Sequence, residues 1–241
     1  LYSQSRHSNA GTRGLDDYAK LIYVETALDT ELAPAILAGQ LRLVLITGNA
    51  GDGKTAFLQQ LESQVEAQGT SVHLNPQGNG SWFEINGHKY LTNYDGSQDE
   101  GSKDNDAVLE EFFSVYQGDD SNTWPHHETR LIAINEGRLV DFLSQHSEGF
   151  SALKAVVEQS LKDGSVQNDV AVVNLNMRDV LASTQSQPES IFERIIGKMT
   201  SAKVWQGCDY CALKDKCYVK HNIATFQDEQ TGPKVIERLK Y

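Results

Sequence analysis

The stretch VLITGNAGDGKTAFLQQL, residues 44–61, places three glycines and a lysine between an apolar run and a helix-forming run. Residues 44–46 are β-formers with no polar interruption, as expected of a strand buried on both faces of a parallel sheet. Residues 56–61 favour a helix. The stretch therefore predicts a strand that ends near Thr47, a glycine-rich turn and a helix.

The glycine-rich turn fits the Walker A pattern G-x-x-x-x-G-K-[ST] at every fixed position. Backbone N–H groups can wrap a polyphosphate where glycines leave room, and the start of a helix favours the same anion. We expect Lys54 to reach the β- and γ-phosphates of ATP and the Thr55 hydroxyl to bind Mg²⁺. The predicted nucleotide-binding residues of this loop are Gly48, Asn49, Ala50, Gly51, Asp52, Gly53, Lys54, Thr55 and Ala56. The alternative is a strand-to-helix turn with a chance lysine.

Composition limits the function classes. The formal charge of −12, from 33 acidic and 21 basic residues, argues against a surface that attracts nucleic acid as a whole. No stretch approaches the roughly 20 apolar residues of a membrane span. The opening LYSQSRHSNAGTRG has neither a methionine nor an apolar core, so we expect no signal peptide and interpret the chain as a piece of a longer protein. The three cysteines all lie within ten residues rather than spread as a disulfide framework, so we expect a reducing, cytoplasmic setting.

Strand-like and helix-like segments alternate along the chain. We predict further strands at residues 70–75 and 130–135 and within 170–180, with helices between them. This alternation predicts an α/β fold with a doubly wound parallel sheet. Residues 81–94 form two arms around Asn86-Gly87, a strong hairpin signal that we interpret as an insertion into the core. The acidic, turn-rich segment 95–106 is interpreted as a loop.

The predicted domains follow from these elements. Residues 1–14 are expected to be a flexible N-terminal segment, and residues 15–201 the nucleotide-binding core. Residues 202–241 are expected to form a cysteine-rich segment that begins a truncated C-terminal region.

A second site element is predicted where the segment LIAINEG ends. Asn135 and Glu136 follow a buried strand at its C-terminal end, where open α/β sheets bind ligands. Glu136 is our candidate catalytic base, and Asn135 stands where an aspartate commonly binds the metal. The alternative is that both residues cap the following helix.

The Walker A loop, a strand ending in Asn-Glu and the later segment VVNLNMRD together resemble the additional-strand P-loop ATPases of the AAA+ and STAND groups. The resemblance covers about residues 15–200. It implies that Asn174 or, by preference, Asn176 touches the γ-phosphate and the attacking water. It also implies that Arg178 reads phosphate charge in its own chain or in a neighbouring subunit, although a surface ion pair remains the alternative.

The segments LVLITGNAGDGKTAFL and LIAINEGRLVDFL are also similar to ATPase modules of large bacterial anti-phage and restriction proteins. These include modules fused to Ser/Thr kinases in phage-growth-limitation systems and those of phosphorothioation-dependent restriction. The resemblance implies that other domains of the same chain are partners, that copies assemble into a homo-oligomer, and that nucleic acid is contacted through neighbouring domains. The lid of AAA+ proteins has no assignable counterpart.

The segment CDYCALKDKCYVKH has the spacing of a zinc site. Cys208, Cys211, Cys217 and His221 offer three thiolates and an imidazole, a full tetrahedral set for a structural Zn²⁺. The alternative is three cysteines without metal. The surrounding lysines suggest either a contact with nucleic acid or a solvated face; they are Lys198, Lys203, Lys214, Lys216 and Lys220.

Three functions remain open on the sequence. The first is an ATPase that couples MgATP hydrolysis to conformational change in a larger bacterial protein, in anti-phage defence or DNA restriction. The second is a nucleotide-dependent switch or scaffold with negligible turnover that recruits effectors. Glu136 favours the enzyme and Asn135 favours the switch. The third is a zinc-centred nucleic-acid module with an accessory P-loop.

Overall fold

The computed structural model of the chain describes residues 17–183 and 187–241, so the segment 1–14 lies outside the described residues. The strands are β1 Leu43–Thr47, β2 His73–Leu74, β3 Ser81–Ile85, β4 His88–Asn93, β5 Glu128–Ile134 and β6 Val170–Asn174. The α-helices are α1 Asp17–Ile22, α2 Ala33–Leu37, α3 Lys54–Ala67, α4 Asn105–Phe113, α5 Glu136–Gln145, α6 Ser151–Asp163, α7 Ile191–Met199, α8 Tyr218–Gln227 and α9 Gly232–Leu239. A π-helical turn, Leu28–Leu32, leads into α2.

The described chain divides into two units. The first unit, Ala27–Arg178, contains the whole sheet and helices α2 to α6. The second unit consists of residues 17–26, 179–183 and 187–241, and contains α1 and α7 to α9.

The sheet has six strands in the order β2-β3-β4-β5-β1-β6. Strands β4, β5, β1 and β6 are parallel to one another, whereas β2 and β3 pair antiparallel at one edge. The predicted α/β fold is confirmed, and the sheet is mixed rather than wholly parallel. The strand predicted over residues 70–75 is the two-residue edge strand β2.

The hairpin over residues 81–94 is confirmed, but its interpretation as an insertion is wrong. β3 and β4 pair antiparallel about Asn86 and Gly87, both with positive φ. β4 also pairs in parallel with β5 from Lys89 to Asn93, which makes it a member of the parallel sheet. The interpretation fails because the pairing between β4 and β5 is long-range. The second arm of the hairpin is also the strand that lies next to β5 in the sheet.

Both faces of the sheet are covered by helices, which gives two apolar cores. Along β1, Val44 and Ile46 belong to the core that includes the apolar face of α3. Leu43 and Leu45 belong to the opposite core, which α4, α5 and α6 cover. This alternation explains why β1 is a continuous run of apolar residues, as expected of a strand buried on both faces.

The register brings the ends of the parallel strands to one edge of the sheet. Thr47, the last residue of β1, is aligned with Ile134 of β5 and Asn174 of β6. Asn93, the last residue of β4, is aligned with Ile132. The segments that follow these four strands therefore begin beside one another, at the edge where α/β sheets bind ligands.

The second unit is helical and is held together by caps and side-chain hydrogen bonds. α7 begins with a capping box in which Ser190 and Glu193 bond each other's backbone N–H groups. Arg194 donates to the Glu25 carbonyl oxygen at 2.8 Å, which ties α7 to the segment after α1. Within residues 17–183 and 187–241, no helix has both the length and the apolar character needed to cross a bilayer.

Candidate functional site

The glycine-rich loop between β1 and α3 forms an open cradle. Gly51 and Gly53 have φ of +91° and +89°, a backbone region that favours glycine. A Cβ atom at either position would have no neighbour within 4 Å, so the backbone is accessible on that side. Gly53 immediately precedes α3, whose first N–H groups have no partner within the helix. The predicted strand, turn and helix are confirmed, and they leave backbone donors available to an anion.

The cradle opens into a cavity of about 1110 Å³. Its lining comes from the loop, the start of α3, the segment after β4 and the end of β5. The lining residues are Gly48, Ala50, Gly51, Asp52, Gly53, Lys54, Thr55, Ala56, Tyr94, Asp95, Ser97, Gln98, Asp99, Ala133 and Asn135. The structure thus gathers nearly all of the predicted loop residues around one space.

Lys54 is the cation of this cavity. Its Nζ atom donates to the carbonyl oxygens of Gly48 at 2.8 Å and Asn49 at 2.6 Å. Partial burial lowers the pKa of Lys54, and the negative charges of Asp52 and Asp95 act in the opposite direction. The ammonium group therefore lies across the cradle with two carboxylates in its electrostatic range.

Asp52 turns its carboxylate back onto the loop. Its Oδ2 atom accepts the Asn49 N–H at 2.5 Å. Gly48 has φ of +151°, which L side chains rarely adopt, and a Cβ there would also come within 2.7 Å of that same oxygen and 3.0 Å of the Leu175 Cβ, so position 48 favours glycine. Asp52 satisfies a backbone donor that a phosphate oxygen would otherwise accept from. A bound nucleotide would have to compete with this carboxylate.

Thr55 connects the cradle to the end of β4. Its Oγ1 atom donates to the carbonyl oxygen of Tyr94 at 2.9 Å. The next residue, Asp95, has a half-buried carboxylate that accepts the Ser97 N–H at 3.0 Å and the Gln98 side-chain amide. The hydroxyl predicted to bind Mg²⁺ therefore lies next to a carboxylate-bearing segment.

Asp95 and Asp99 were not predicted as site residues. Both line the cavity, because β4 is a parallel strand that ends at the same edge as β1. The available signal was an acidic residue directly after the strand-like run at residues 88–93. Interpreting that run as part of an insertion placed Asp95 in a surface loop.

Asn135 and Glu136 lie where β5 passes into α5. Asn135 lines the cavity, and its Oδ1 atom accepts the Gly137 N–H at 3.0 Å, so its side chain caps the helix as the alternative interpretation expects. Glu136 does not line the cavity. Its Oε2 atom instead accepts the side-chain amide of Asn174 at 2.7 Å. The carboxylate of the candidate base is thus bound by an amide from β6.

The two asparagine candidates at the end of β6 have different surroundings. Asn174 contacts Glu136, and its Oδ1 atom accepts the Asn176 N–H at 3.0 Å. Asn176 is exposed in the 3₁₀ turn Leu175–Met177 and does not line the cavity. Neither asparagine is among the residues that line the cavity, and Asn174 is the one that contacts the candidate base Glu136.

Arg178 reaches the cradle from a distant part of the sequence. Its Nη2 atom donates to the carbonyl oxygen of Asp52 at 2.9 Å. Its Nε atom is buried and has no hydrogen-bond partner within residues 17–183 and 187–241. Arg178 therefore has an unsatisfied donor on a guanidinium that is hydrogen-bonded to the glycine-rich loop.

The donor set of the cavity fits MgATP. Loop N–H groups and Lys54 suit phosphate oxygens. Mg²⁺ is commonly held by one or two protein oxygen ligands together with substrate phosphates, rather than by a full protein cage. The Thr55 hydroxyl and the Asp95 carboxylate are groups of that kind on adjoining elements.

The cysteine segment lies in the second unit. The thiols of Cys208, Cys211 and Cys217 are free, and the first and third are half-buried. Within residues 17–183 and 187–241, no three His, Cys, Asp or Glu side chains are grouped so that they could hold a metal ion. The zinc site that adds His221 to the three cysteines stays a prediction, which metal analysis of the purified protein would test.

Comparisons with known proteins add no family to this description. No family model matches the chain, and no curated protein or solved structure matches it.

Proposed function

We propose that this chain is an ATP-binding and ATP-hydrolysing module. The observation that carries the proposal is a single cavity that brings Lys54 and Thr55 of the loop together with Asp95 from another strand. A glycine-rich turn formed by chance would have no reason to meet a carboxylate at the edge of the same sheet. A cation for phosphate, a hydroxyl and an acidic group for Mg²⁺ are the parts that phosphoryl transfer needs.

We assign each residue a role that follows from its chemistry. The loop amides and Lys54 bind the β- and γ-phosphates, and Arg178 fixes the loop through the Asp52 carbonyl. Thr55 and Asp95 hold Mg²⁺, which when bound neutralises phosphate charge. Glu136 is the proposed base for the attacking water, and Asn174 orients its carboxylate.

We further infer the additional-strand type of P-loop fold. β5 lies between β1, which carries the cradle, and β4, which carries Asp95. One extra strand thus separates the phosphate-binding strand from the strand with the acidic group. On this assignment Asn135, at the end of the intervening strand, is placed to contact the γ-phosphate.

A nucleotide-dependent switch is the second candidate. It is favoured by the Glu136 carboxylate, which is occupied by the Asn174 amide and does not line the cavity. If this arrangement persists with nucleotide bound, no base faces the water and turnover is negligible. The protein would then bind ATP and signal through its conformation.

Phosphate release and nucleotide affinity, measured together, separate the candidates. Lys54→Ala should abolish ATP binding, whereas Asp95→Asn should retain binding and lower Mg²⁺-dependent release by roughly 100-fold or more. Lys162→Ala and Asp119→Asn, which alter exposed residues outside the cavity, serve as matched controls. Unchanged ATP affinity in Lys54→Ala would remove the proposal.

Glu136→Gln decides between the enzyme and the switch. Loss of phosphate release with retained binding supports the enzyme. Binding without release in both the wild-type protein and the variant leaves the switch. The output of either activity, in anti-phage defence or DNA restriction, stays a prediction.

A further inference from the structure

A buried carboxylate lies on the helix that begins at the cradle. Glu62 is two turns beyond Lys54 on α3 and is 6% exposed. Its Oε1 atom accepts the Ser81 hydroxyl at 2.6 Å and the Thr92 hydroxyl at 2.8 Å. Its Oε2 atom accepts the Tyr94 hydroxyl at 2.5 Å. Three hydroxyl groups of the β3–β4 hairpin and its end thus converge on one side chain of α3.

If Glu62 served only to fill space in the core, a buried carboxylate would be a less favourable choice than an apolar side chain. Removing a carboxylate from water is energetically unfavourable, and an apolar side chain avoids that penalty. Burial raises the pKa of Glu62, while the three hydroxyl hydrogen bonds oppose that rise. A charged acceptor does, however, fix three donors in defined directions, which an apolar residue cannot do.

Tyr94 connects this cluster to the cradle. Its hydroxyl is bound by Glu62, and its backbone carbonyl oxygen accepts the Thr55 hydroxyl at 2.9 Å. Both partners are on α3, so one residue at the end of β4 is attached to the helix at two points. The residue after Tyr94 is Asp95, which lines the cavity.

The segment is also held by two asparagine side chains and by the sheet. Asn79 Nδ2 donates to the Asp95 carbonyl oxygen at 3.1 Å, and Asn105 Nδ2 donates to the carbonyl oxygens of Gly96 and Gln98. The Gly96 N–H donates to the Ala133 carbonyl oxygen at 2.8 Å, and the Tyr94 N–H donates to the Asn79 carbonyl oxygen at 3.1 Å. These bonds fix the segment against β5 and the loop before β3. Glu62 supplies the support from the side of the helix that carries Lys54 and Thr55.

We propose that Glu62 is a positioning residue that holds Tyr94 against α3 and thereby fixes the Asp95 carboxylate beside Thr55. Glu62 acts through Tyr94 and does not line the cavity. The inference rests on the proposed function, because its effect on turnover requires that the cavity binds MgATP. The positioning of Tyr94 by Glu62 does not require bound nucleotide, so it can be measured separately in the nucleotide-free protein.

The decisive variants change single atoms or groups. Tyr94→Phe removes only the Tyr94 hydroxyl, one of the three from which Glu62 accepts. Glu62→Ala removes the acceptor, whereas the Glu62→Gln amide can still accept from Ser81 and Thr92 and donate to the Tyr94 oxygen. Glu66→Gln, at an exposed position of the same helix, is the matched control.

Two measurements on the full chain test the proposal. Hydrogen exchange without nucleotide should show faster exchange of the amides of residues 94–98 in Tyr94→Phe and Glu62→Ala than in the control. Steady-state kinetics should show kcat lower by roughly 10- to 100-fold, since small displacements of a site group cost that much. KM for ATP should change by less than about threefold, because Lys54 and the loop are untouched. Glu62→Gln should recover much of the kcat that is lost in Glu62→Ala. If Glu62→Ala does not fold, Tyr94→Phe alone tests the proposal.

The outcomes distinguish failure of this inference from failure of the proposed function on which it rests. If the wild-type protein does not bind ATP, the proposed function fails, and the kinetic part of the inference fails with it. Unchanged exchange at residues 94–98 in Tyr94→Phe overturns the inference whatever the wild-type protein binds. If ATP is hydrolysed and Tyr94→Phe matches Glu66→Gln in both kcat and exchange, the proposed function stands and the positioning role of Glu62 is wrong.

Discussion

Asp52 and Lys54 show how the charged residues of the loop are satisfied without a ligand. The ammonium group donates to two loop carbonyls, and the carboxylate accepts a loop N–H. Each charged group therefore interacts with backbone that a phosphate would otherwise engage or displace. The two side chains are expected to act in opposite directions on affinity, since one attracts the phosphates and the other repels them.

Replacing Asp52 by Asn should strengthen ATP binding. The substitution keeps the shape of the side chain and removes a negative charge from the space next to the phosphates. A charge at about 4 Å is worth about 1 kcal/mol in a water-like medium, so Kd should fall by roughly fivefold. Titration with a fluorescent ATP analogue at pH 7 measures the change. Asp119→Asn is the control, and a Kd equal to or weaker than that of the control would contradict a competing role for Asp52.

The residues of the loop could be predicted because the motif is local. Eight consecutive positions specify a turn, a cation and a hydroxyl, and the structure forms that turn, with Lys54 and Thr55 lining the cavity. Asp95 could not be found in the same way, because its role depends on which strand lies next to β5. That neighbour is determined by pairing between residues 88–93 and 128–134, which no local pattern records.

At the scale of elements, the β3–β4 hairpin shows what a pattern of residue types leaves undecided. Asn86-Gly87 specified the turn correctly. The end of β4 carries Thr92 and Asn93, which are buried although they are polar. Thr92 is satisfied by Glu62, from a helix some 30 residues earlier. A buried polar strand end of this kind is understood only once its partner is known. The segment after it is a loop up to residue 104, as predicted, but its Asp95 lines the cavity.

The contact between α3 and this hairpin should make stability depend on pH. Burial raises the pKa of Glu62, and Glu66 is the neighbouring charge that acts in the same direction. The pKa of Tyr94 is also raised by burial, which keeps its hydroxyl protonated. The native state then binds a proton at Glu62 more tightly than the unfolded state does, so this contribution to stability falls as pH rises.

Glu62→Gln should remove this dependence. The contribution is fully present below the ordinary glutamate pKa of about 4.5 and is lost as pH rises through the higher folded pKa. The free energy of unfolding of the wild-type protein, relative to Glu62→Gln, should therefore decline above about pH 4.5. Urea unfolding from pH 4 to 8 measures this decline, with Glu148→Gln as the control, because Glu148 is exposed and is not among the charges that act on Glu62. Parallel pH profiles for the wild type and Glu62→Gln would contradict the assigned shift.

At the scale of the whole molecule, the net negative charge of the chain bears on which form of nucleotide the proposed site would bind. The chain carries a formal charge of −12, and three aspartates line the cavity. A free polyphosphate would meet repulsion there, whereas a polyphosphate that carries Mg²⁺ brings its own positive charge. The acidic balance that argues against general nucleic-acid binding therefore also favours MgATP over ATP alone.

MgATP should raise the melting temperature of the whole chain. A ligand that binds only the native state stabilises it by about 2.7 kcal/mol at 100 times its Kd. For a protein of this size, 1 kcal/mol corresponds to roughly 2–4 °C, so we expect a rise of about 5–10 °C. ATP with a chelator should give a smaller rise, because Thr55 and Asp95 then face the phosphates without the cation. Thermal scans of the wild type and Lys54→Ala measure the effect. An equal rise in both proteins would place the stabilising nucleotide outside the cradle, because Lys54 is the cation of that cavity.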